Sequence, residues 1–167
     1  MFLVSTGLRV SEACGLTWGD VDLAARRFRV AKAQVYVGGE FHVGPPKSKA
    51  GRRSITLDAT GIEALRQVTT SCDDDGVFRT RKGRPPVPGV VKREVRHLCE
   101  MAGVPVLSPH GLRHVHAMLA LKATRDPYLV QRRLGHSHVS VTLGLYGYPT
   151  DDEESVAPAL DRLLKKE

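Results

Sequence analysis

Cysteine is scarce in this sequence of 167 residues. Its three cysteines, Cys14, Cys72 and Cys99, are odd in number, far apart and without the paired spacing of a zinc site. This pattern argues against a disulfide framework and is typical of reduced thiols. We therefore expect a cytoplasmic protein.

Long hydrophobic runs are also lacking. No stretch approaches the roughly 20 apolar residues that a membrane-spanning helix needs, and the N-terminus has no basic segment followed by an apolar one. The sequence therefore predicts neither a transmembrane helix nor a secretory signal, and no membrane partner.

Acidic residues are too few to balance the basic ones. The chain has 18 Asp and Glu against 25 Lys and Arg, which gives a formal net charge of +7 and a pI of about 9.6. A hydrophobic content of 41% with 26% charged residues is typical of one soluble globular domain. The excess positive charge favours a polyanion as partner.

The stretch 108–148 contains residues suited to chemistry on a phosphate. Ser108 and Pro109 are typical of the start of a helix, and that helix would place His110 and Arg113 on one face. An arginine presents a rigid fork of donors to anionic oxygens, and a histidine beside it can donate a hydrogen bond or move a proton near neutral pH. The pair therefore predicts a phosphate contact.

Gly135, His136 and Tyr146 follow in the same stretch. A phenol ionises only near pH ~10, yet among positive charges the phenolate is favoured and can attack phosphorus to form a phosphotyrosine. Taken singly, these residues have commoner structural explanations, a helix cap or core packing. Their order, combined with a second site at residues 6–12, favours a functional explanation.

Five ordered motifs connect these sites to a known family. They are TGLRVSEACGLTWGDVD at residues 6–22, PPKSKAGRRSITL at 45–57, SPHGLRH at 108–114, RRLGHSHVSVT at 132–142 and LYGY at 145–148. With these motifs the chain resembles the catalytic domain of the tyrosine recombinases, or phage-type integrases. The resemblance implies an α+β, mostly helical domain over residues 1–150 with a small antiparallel β-sheet.

The resemblance also implies an activity, site-specific DNA recombination through a 3′-phosphotyrosine intermediate, without metal or nucleotide cofactor. The catalytic residues that it implies are Arg9, Lys47, His110, Arg113, His136 and Tyr146. In this scheme Tyr146 attacks, the arginines stabilise charge on phosphorus, the histidines assist with hydrogen bonds or protons, and Lys47 protonates the leaving 5′-oxygen.

Two of these assignments have alternatives within the sequence. Lys49 is the alternative to Lys47, because the length of the hairpin that contains them varies within the family. Tyr148 is the alternative nucleophile and stands where the family more often has a histidine. Glu12 follows Arg9 by three residues, and we expect it to orient that arginine instead of touching DNA.

Two basic segments predict contacts with the DNA backbone. Residues 26–53 contain eight basic residues and one acid, and a second basic segment spans residues 79–84. The DNA-binding residues that we expect are Lys49, Arg52, Arg53, Arg81 and Lys82. A solvated loop is the alternative explanation for each segment.

Histidines four residues apart, His110 and His114, raise the alternative of a zinc site. No glutamate occupies the middle of an H-E-x-x-H pattern, and Arg113 beside the site would repel a cation. We therefore expect no metal.

Periodicity predicts the remaining elements. We expect strands at 27–36, 40–43 and 54–57 in one antiparallel sheet, with Gly38 and Gly39 forming a hairpin turn. We expect helices at 58–71 and 90–102, and another after Asp126 and Pro127. The residues expected to pack inward from the last two helices are Val91, Val95, Leu98, Met101, Tyr128, Leu129, Val130 and Leu134.

The two ends of the chain carry further expectations. Residues 1–4 look like the inside of a helix, so the resemblance implies an N-terminally truncated catalytic domain that lacks its first helix and the upstream DNA-clamping domain. Residues 151–167 contain an acidic linker and then an amphipathic helix, which by the resemblance would pack on a neighbouring protomer in a dimer or tetramer on double-stranded DNA. The alternatives are a non-catalytic remnant that binds DNA or dimerises, and a DNA-relaxing enzyme similar to type IB topoisomerases.

Overall fold

The computed structural model of the chain describes residues 1–68 and 76–144. Helices α1 to α7 within these ranges are Phe2–Thr6, Val10–Cys14, Ala59–Arg66, Pro88–Met101, Pro109–Thr124, Pro127–Leu134 and Val139–Leu143. Strands β1 to β5 are Val21–Asp22, Arg27–Val30, Ala33–Val37, Glu40–Gly44 and Arg53–Thr56. The mostly helical α+β class with small antiparallel sheets is thereby confirmed.

Local sequence signals explain where α5 and α6 begin. The Ser108 hydroxyl accepts a hydrogen bond from the Gly111 N–H at 3.0 Å, and Pro109 opens α5. At α6 the Asp126 carboxylate accepts hydrogen bonds from the backbone N–H groups of Tyr128 and Leu129, and Pro127 opens the helix. A side-chain acceptor at the N-cap followed by proline satisfies or removes otherwise unpaired donors. Both predicted helix starts are confirmed.

The strands form two sheets, and the prediction of a single sheet is wrong. β2 lies between β1 and β5 in one antiparallel sheet, while β3 pairs only with β4 among the described residues, as a hairpin around Gly38 and Gly39. The predicted strand at 27–36 is therefore divided at Ala31 and Lys32. The reason is that its first half pairs with β5, whereas its second half pairs with β4 and packs near Gly15, which ends α2.

The core lies in two apolar clusters. The larger one joins α1, the three-stranded sheet and α3, and its most buried members include Phe28, Ile55 and Leu65. The smaller one joins α5 to α6 through Ala117, Val130 and Leu134. The functional side chains described below come from segments that these clusters hold in place.

Four residues expected to pack inward are exposed instead. Leu98 and Met101 of α4 are 61% and 71% exposed, and Tyr128 and Leu129 of α6 are 59% and 42% exposed. On α4, Val91 and Val95 are half-buried and line an apolar cavity of about 440 Å³ against α1 and α2. An apolar stripe therefore exists on α4, but within the described residues only part of it is covered.

In the described ranges, no helix has the length and apolar character needed to cross a membrane. The predicted linker and helix at 151–167 lie outside the described residues, as does Cys72.

Candidate functional site

Arg113 is buried at the centre of the site. It lies one turn into α5, its side chain is 3% exposed, and it donates to the Gly7 carbonyl and the Leu134 carbonyl, both at 2.6 Å. Burial and the positive charge of Arg9 lower the pKa of Arg113 to about 9, although Glu12 opposes the shift. The guanidinium is still charged at neutral pH, and the two carbonyl bonds use two of its five N–H donors.

Arg9 and Glu12 form a local pair at the start of α2. The Glu12 carboxylate accepts from the Arg9 backbone N–H at 2.9 Å and from its guanidinium Nη1 at 2.8 Å. The Arg9 side chain is 41% exposed, whereas that of Glu12 is 2% exposed. The arginine therefore reaches solvent while its partner is buried, which agrees with the expectation that Glu12 orients Arg9.

Arg53 lies in the protein interior, in contrast to the expectation that it contacts DNA. Its side chain is 7% exposed. Its Nη1 and Nη2 donate to the two carboxylate oxygens of Glu12 at 3.1 and 3.0 Å, and its Nε donates to the Arg133 carbonyl at 2.6 Å. A fork that is already bonded to a buried carboxylate is not available to a phosphate, so the expected contact of Arg53 with DNA does not fit its position in this structure.

Glu12 thus stands among three arginines. Its oxygens lie 2.8 Å from Arg9, 3.0 Å from Arg53 and 4.0 Å from Arg113. Burial alone would raise the pKa of Glu12, but hydrogen bonds and positive charge from Arg53 and Arg9 outweigh burial and lower it. One carboxylate against three guanidiniums leaves an excess of positive charge, and such a cluster attracts an anion.

His136 follows the end of α6 and is held by α7. Its Nδ1 lies 2.9 Å from the Thr142 hydroxyl. Burial, followed by the charges of Arg113 and Arg9, lowers the pKa of His136 to about 4. The ring is therefore neutral at neutral pH and can act as a hydrogen-bond partner without adding charge.

His110 occupies the exposed first turn of α5. Partial burial, then the charge of Arg113, lowers its pKa as well. Its ring centroid lies 6.0 Å from that of His114. Within the described residues, no group of three or more His, Cys, Asp or Glu side chains is arranged to hold a metal ion.

A groove of about 760 Å³ connects several of these residues, and we call it the site groove. Arg9, Lys47 and His136 line it, together with Val35 of β3 and Val141 of α7. Lys47 is exposed there, and Lys49 lies two residues later in the 3₁₀ turn Lys49–Gly51. The structure therefore brings Lys47 to the same groove as Arg9 and His136.

Gly135 is required by close packing around this groove. It ends α6 with a φ of 68°, and a Cβ at this position would lie 2.6 Å from the Ala50 carbonyl oxygen and 3.0 Å from Nη1 of Arg53. Only a glycine fits such a conformation without strain. The Gly-His pair thereby packs directly against the loop that follows Lys47.

The other predicted site residues fall into two groups. Lys49, Arg52, Arg81 and Lys82 are exposed, as a contact with a DNA backbone would require. The two candidate nucleophiles, Tyr146 and Tyr148, lie outside the described residues, which end at Gly144 just after α7.

Two residues of the site were not found from the sequence. Thr142 bonds His136, and Arg133 donates to the imidazole Nε2 of His116 at 3.0 Å and to the Ser5 carbonyl at 3.2 Å. Both lie in the motif at residues 132–142, so their proximity to His136 in sequence was the available signal. Their partners could not be identified without the fold.

Comparisons with known proteins identify relatives of this chain. The ICEBs1 integrase of Bacillus subtilis (strain 168) is 27% identical over 172 residues, covering 95% of this chain and 46% of the integrase. The tyrosine recombinase XerC of Mycobacterium sp. (strain KMS) is 35% identical over 142 residues, covering 84% of this chain and 45% of XerC. The chain thus spans about half the length of the curated relatives it matches.

Solved structures show the same fold. The Tn1549 transposon integrase (aa 82–397), in complex with circular intermediate DNA, superposes with a TM-score of 0.80 at 26% identity, covering 97% of this chain and 57% of the integrase chain. The XerA recombinase, at 24% identity, superposes with a TM-score of 0.70 and supports the fold alone. The family model described as "Phage integrase family" matches residues 1–153. Since this match covers nearly the whole chain, the protein belongs to the phage integrase family.

Proposed function

We propose that this chain cuts and rejoins double-stranded DNA at specific sites through a 3′-phosphotyrosine intermediate. The observation that carries the proposal is the excess of positive charge around Glu12, where Arg113 is buried and Arg9 reaches the site groove. A scissile phosphodiester carries one negative charge and gains a second as the nucleophile adds. Preorganised guanidiniums stabilise that added charge without rearrangement.

The chemical step balances without a cofactor. The Tyr146 hydroxyl gives up its proton to solvent, and its oxygen forms a bond to phosphorus while the bond from phosphorus to the 5′-oxygen breaks. The Lys47 ammonium gives the departing 5′-oxygen a proton. The reverse step, with a 5′-hydroxyl attacking the phosphotyrosine, restores the phosphodiester and frees the tyrosine. Lys47 is favoured over Lys49 because it lines the same groove as Arg9 and His136.

The histidines are proposed to act as hydrogen-bond partners. His136 is neutral at neutral pH, and its Nδ1 is already paired with Thr142. In the tautomer that has a proton on Nε2, this second ring nitrogen can donate to a non-bridging phosphate oxygen. His110, one turn before Arg113 on α5, is proposed to make the same kind of contact.

The relatives support the reaction class and the partner. The matched XerC proteins are named tyrosine recombinases, and the Tn1549 integrase was solved in complex with DNA. The exposed Lys49, Arg52, Arg81 and Lys82 are proposed to contact the DNA backbone.

We further propose that residues 1–150 form the catalytic domain and that residues 151–167 contact a second copy on DNA. The apolar side chains Val156, Leu160, Leu163 and Leu164 repeat at helical spacing and suit such a contact. A native gel that compares the full chain with a variant ending at residue 150 tests this. Loss of the slower, multimeric DNA complex in the shorter variant is expected, and an unchanged complex would contradict the proposal.

Strand cleavage is tested with a nicked DNA substrate whose cut end diffuses away, so that the covalent product accumulates. The 167-residue chain is expected to give a DNA-linked band on a denaturing gel, and Tyr146→Phe is expected to lose it. Tyr128→Phe is the matched control, because Tyr128 is an exposed tyrosine on α6. A band that persists in Tyr146→Phe and disappears in Tyr148→Phe would reassign the nucleophile, and a chain that gives no band at all would refute the proposed activity.

A further inference from the structure

Arg53 connects three segments of the site. Its Nη1 and Nη2 bond the Glu12 carboxylate of α2, its Nε bonds the Arg133 carbonyl in the last turn of α6, and its Nη1 also donates to the Gly51 carbonyl at 3.0 Å. It thereby joins the start of α2, which follows Arg9, to the loop after Lys47 and to the last turn of α6, which precedes His136. They come from distant parts of the sequence, so a single side chain fixes their relative positions.

The environment of Arg53 differs from that of a residue that contacts DNA. Four of its five N–H donors are used within the protein, and the residue lines a separate cavity of about 730 Å³ between α1, α5 and α6. It is not among the residues that line the site groove. Its positive charge is therefore satisfied by Glu12 and by backbone carbonyls, not by an external anion.

Glu12 is the point at which this arrangement affects the site. Its two oxygens accept both from Arg53 and from Arg9, and the nearest nitrogen of Arg113 lies 4.0 Å away. Without the fork of Arg53, the buried carboxylate would be free to turn toward Arg113, and Arg9 would lose the bonds that direct it. A bidentate arginine fixes a carboxylate more precisely than a lysine can, because both N–H groups lie in one plane.

We infer that Arg53 is a positioning residue that acts through Glu12 to aim the Arg9 guanidinium at the phosphate. The inference rests on the proposed function only for the identity of the anion that Arg9 contacts. It separates Arg53 from its sequence neighbour Arg52, which is exposed and remains a candidate for direct DNA contact.

The first test compares Arg53→Lys with Arg53→Ala. DNA affinity is measured by fluorescence anisotropy with a labelled duplex at several salt concentrations, and all proteins carry Tyr146→Phe so that cleavage does not interfere. If Arg53 touched a phosphate, lysine would keep most of the affinity. Because lysine cannot make the bidentate contact, we expect both variants to weaken binding equally, on the order of tenfold when one charge-assisted hydrogen bond is removed.

The second test is a double-mutant cycle with Arg9→Ala. If Arg53 acts through Arg9, the double variant Arg9→Ala/Arg53→Lys binds DNA as Arg9→Ala does alone, with the same salt dependence. If Arg53 instead binds a phosphate of its own, each of the substitutions Arg53→Ala and Arg9→Ala leaves one phosphate without its positive partner. Each then reduces the slope of log affinity against log salt by about 0.9, and in the double variant the two reductions add. Additive effects, or full affinity in Arg53→Lys, would overturn the inference.

Controls separate positioning from folding and from the proposed reaction. Arg96→Lys alters an exposed arginine whose partner Glu100 lies 2.9 Å away, and we expect it to bind DNA as the parent does. Urea unfolding shows whether each variant is folded at the assay temperature. If Arg53→Lys is not folded, Glu12→Gln replaces it: this variant removes the carboxylate that Arg53 holds, should weaken DNA binding no further when combined with Arg9→Ala, and would overturn the inference if it kept full affinity. The cycle needs binding alone, so a chain that binds DNA but does not cleave it would refute the reaction and still decide the role of Arg53.

Discussion

Replacing Gly135 with alanine tests how closely the Gly-His segment packs on the loop after Lys47. The added Cβ would lie 2.6 Å from the Ala50 carbonyl oxygen, a separation that carbon and oxygen do not adopt without a bond, so the loop or the helix end must move. The residue also has a φ of 68°, which costs an L-amino acid roughly 1–2 kcal/mol. Forced overpacking adds about 1–3 kcal/mol, and the expected loss in free energy of unfolding is therefore about 2–5 kcal/mol.

The assay is urea unfolding followed by circular dichroism, with Gly103→Ala as the matched control. Gly103 has a φ of 64°, but a Cβ there would have no neighbour within 4 Å in the described part of the chain. Gly103→Ala therefore has the unfavourable positive φ of Gly135→Ala but no steric clash of its Cβ with neighbouring atoms. Gly135→Ala is expected to exceed Gly103→Ala by about 1–3 kcal/mol, and equal losses in the two variants would refute the close packing of Gly135 on Ala50.

Three further predictions concern charge and protons. Arg113→Lys keeps the charge but loses the fork that donates to the Gly7 and Leu134 carbonyls. Urea unfolding should show a loss in free energy of unfolding of about 1.5–3 kcal/mol, the value of one charge-assisted hydrogen bond, and a loss below about 1 kcal/mol would contradict the buried geometry. In the folded state the pKa of His136 is about 4, below the ordinary histidine value of 6.5. Between these two pH values the unfolded state binds more protons than the folded state, so the free energy of unfolding should decline as pH falls from 6.5 toward 4. His136→Gln should lose that part of the decline, and an NMR titration midpoint above about 6 would refute the shift. Lys47→Ala should slow the cleavage of ordinary DNA, and its cleavage rate should recover on a substrate with sulfur as the 5′-bridging atom, because a thiolate leaves without a proton. If only Lys49→Ala showed this slow rate and its recovery, Lys49 and not Lys47 would be the proton donor.

Local signals in the sequence were sufficient for much of the fold. Ser108 with Pro109, and Asp126 with Pro127, each combine a side-chain acceptor and a missing N–H at a helix start. A turn at Gly38 and Gly39 requires positive φ at both positions, 61° and 89°, which glycine adopts freely. These features depend on residues close in sequence, and for that reason they could be predicted.

Features set by distant partners could not be predicted. The division of the predicted strand at 27–36 depends on β5 and β4, which pair with different halves of it. Likewise, the spacing of Leu98 and Met101 indicates an apolar face but not which element covers it. The burial of Arg53 depends on Glu12, 41 residues earlier, and nothing in the sequence near Arg53 distinguishes a buried arginine from one that contacts DNA.

The same distant partners determine when the site can form during synthesis. Arg113 bonds carbonyls 106 residues before it and 21 residues after it, and Arg53 bonds a carbonyl 80 residues after it. Contacts of such high sequence separation form late in folding, because long loops must close first. A nascent chain that ends before residue 133 can form the bonds of Arg9 and Arg53 to Glu12 but lacks those of Arg53 to the Arg133 carbonyl and of Arg113 to the Leu134 carbonyl. The charged centre can therefore be completed only when synthesis has nearly reached Tyr146.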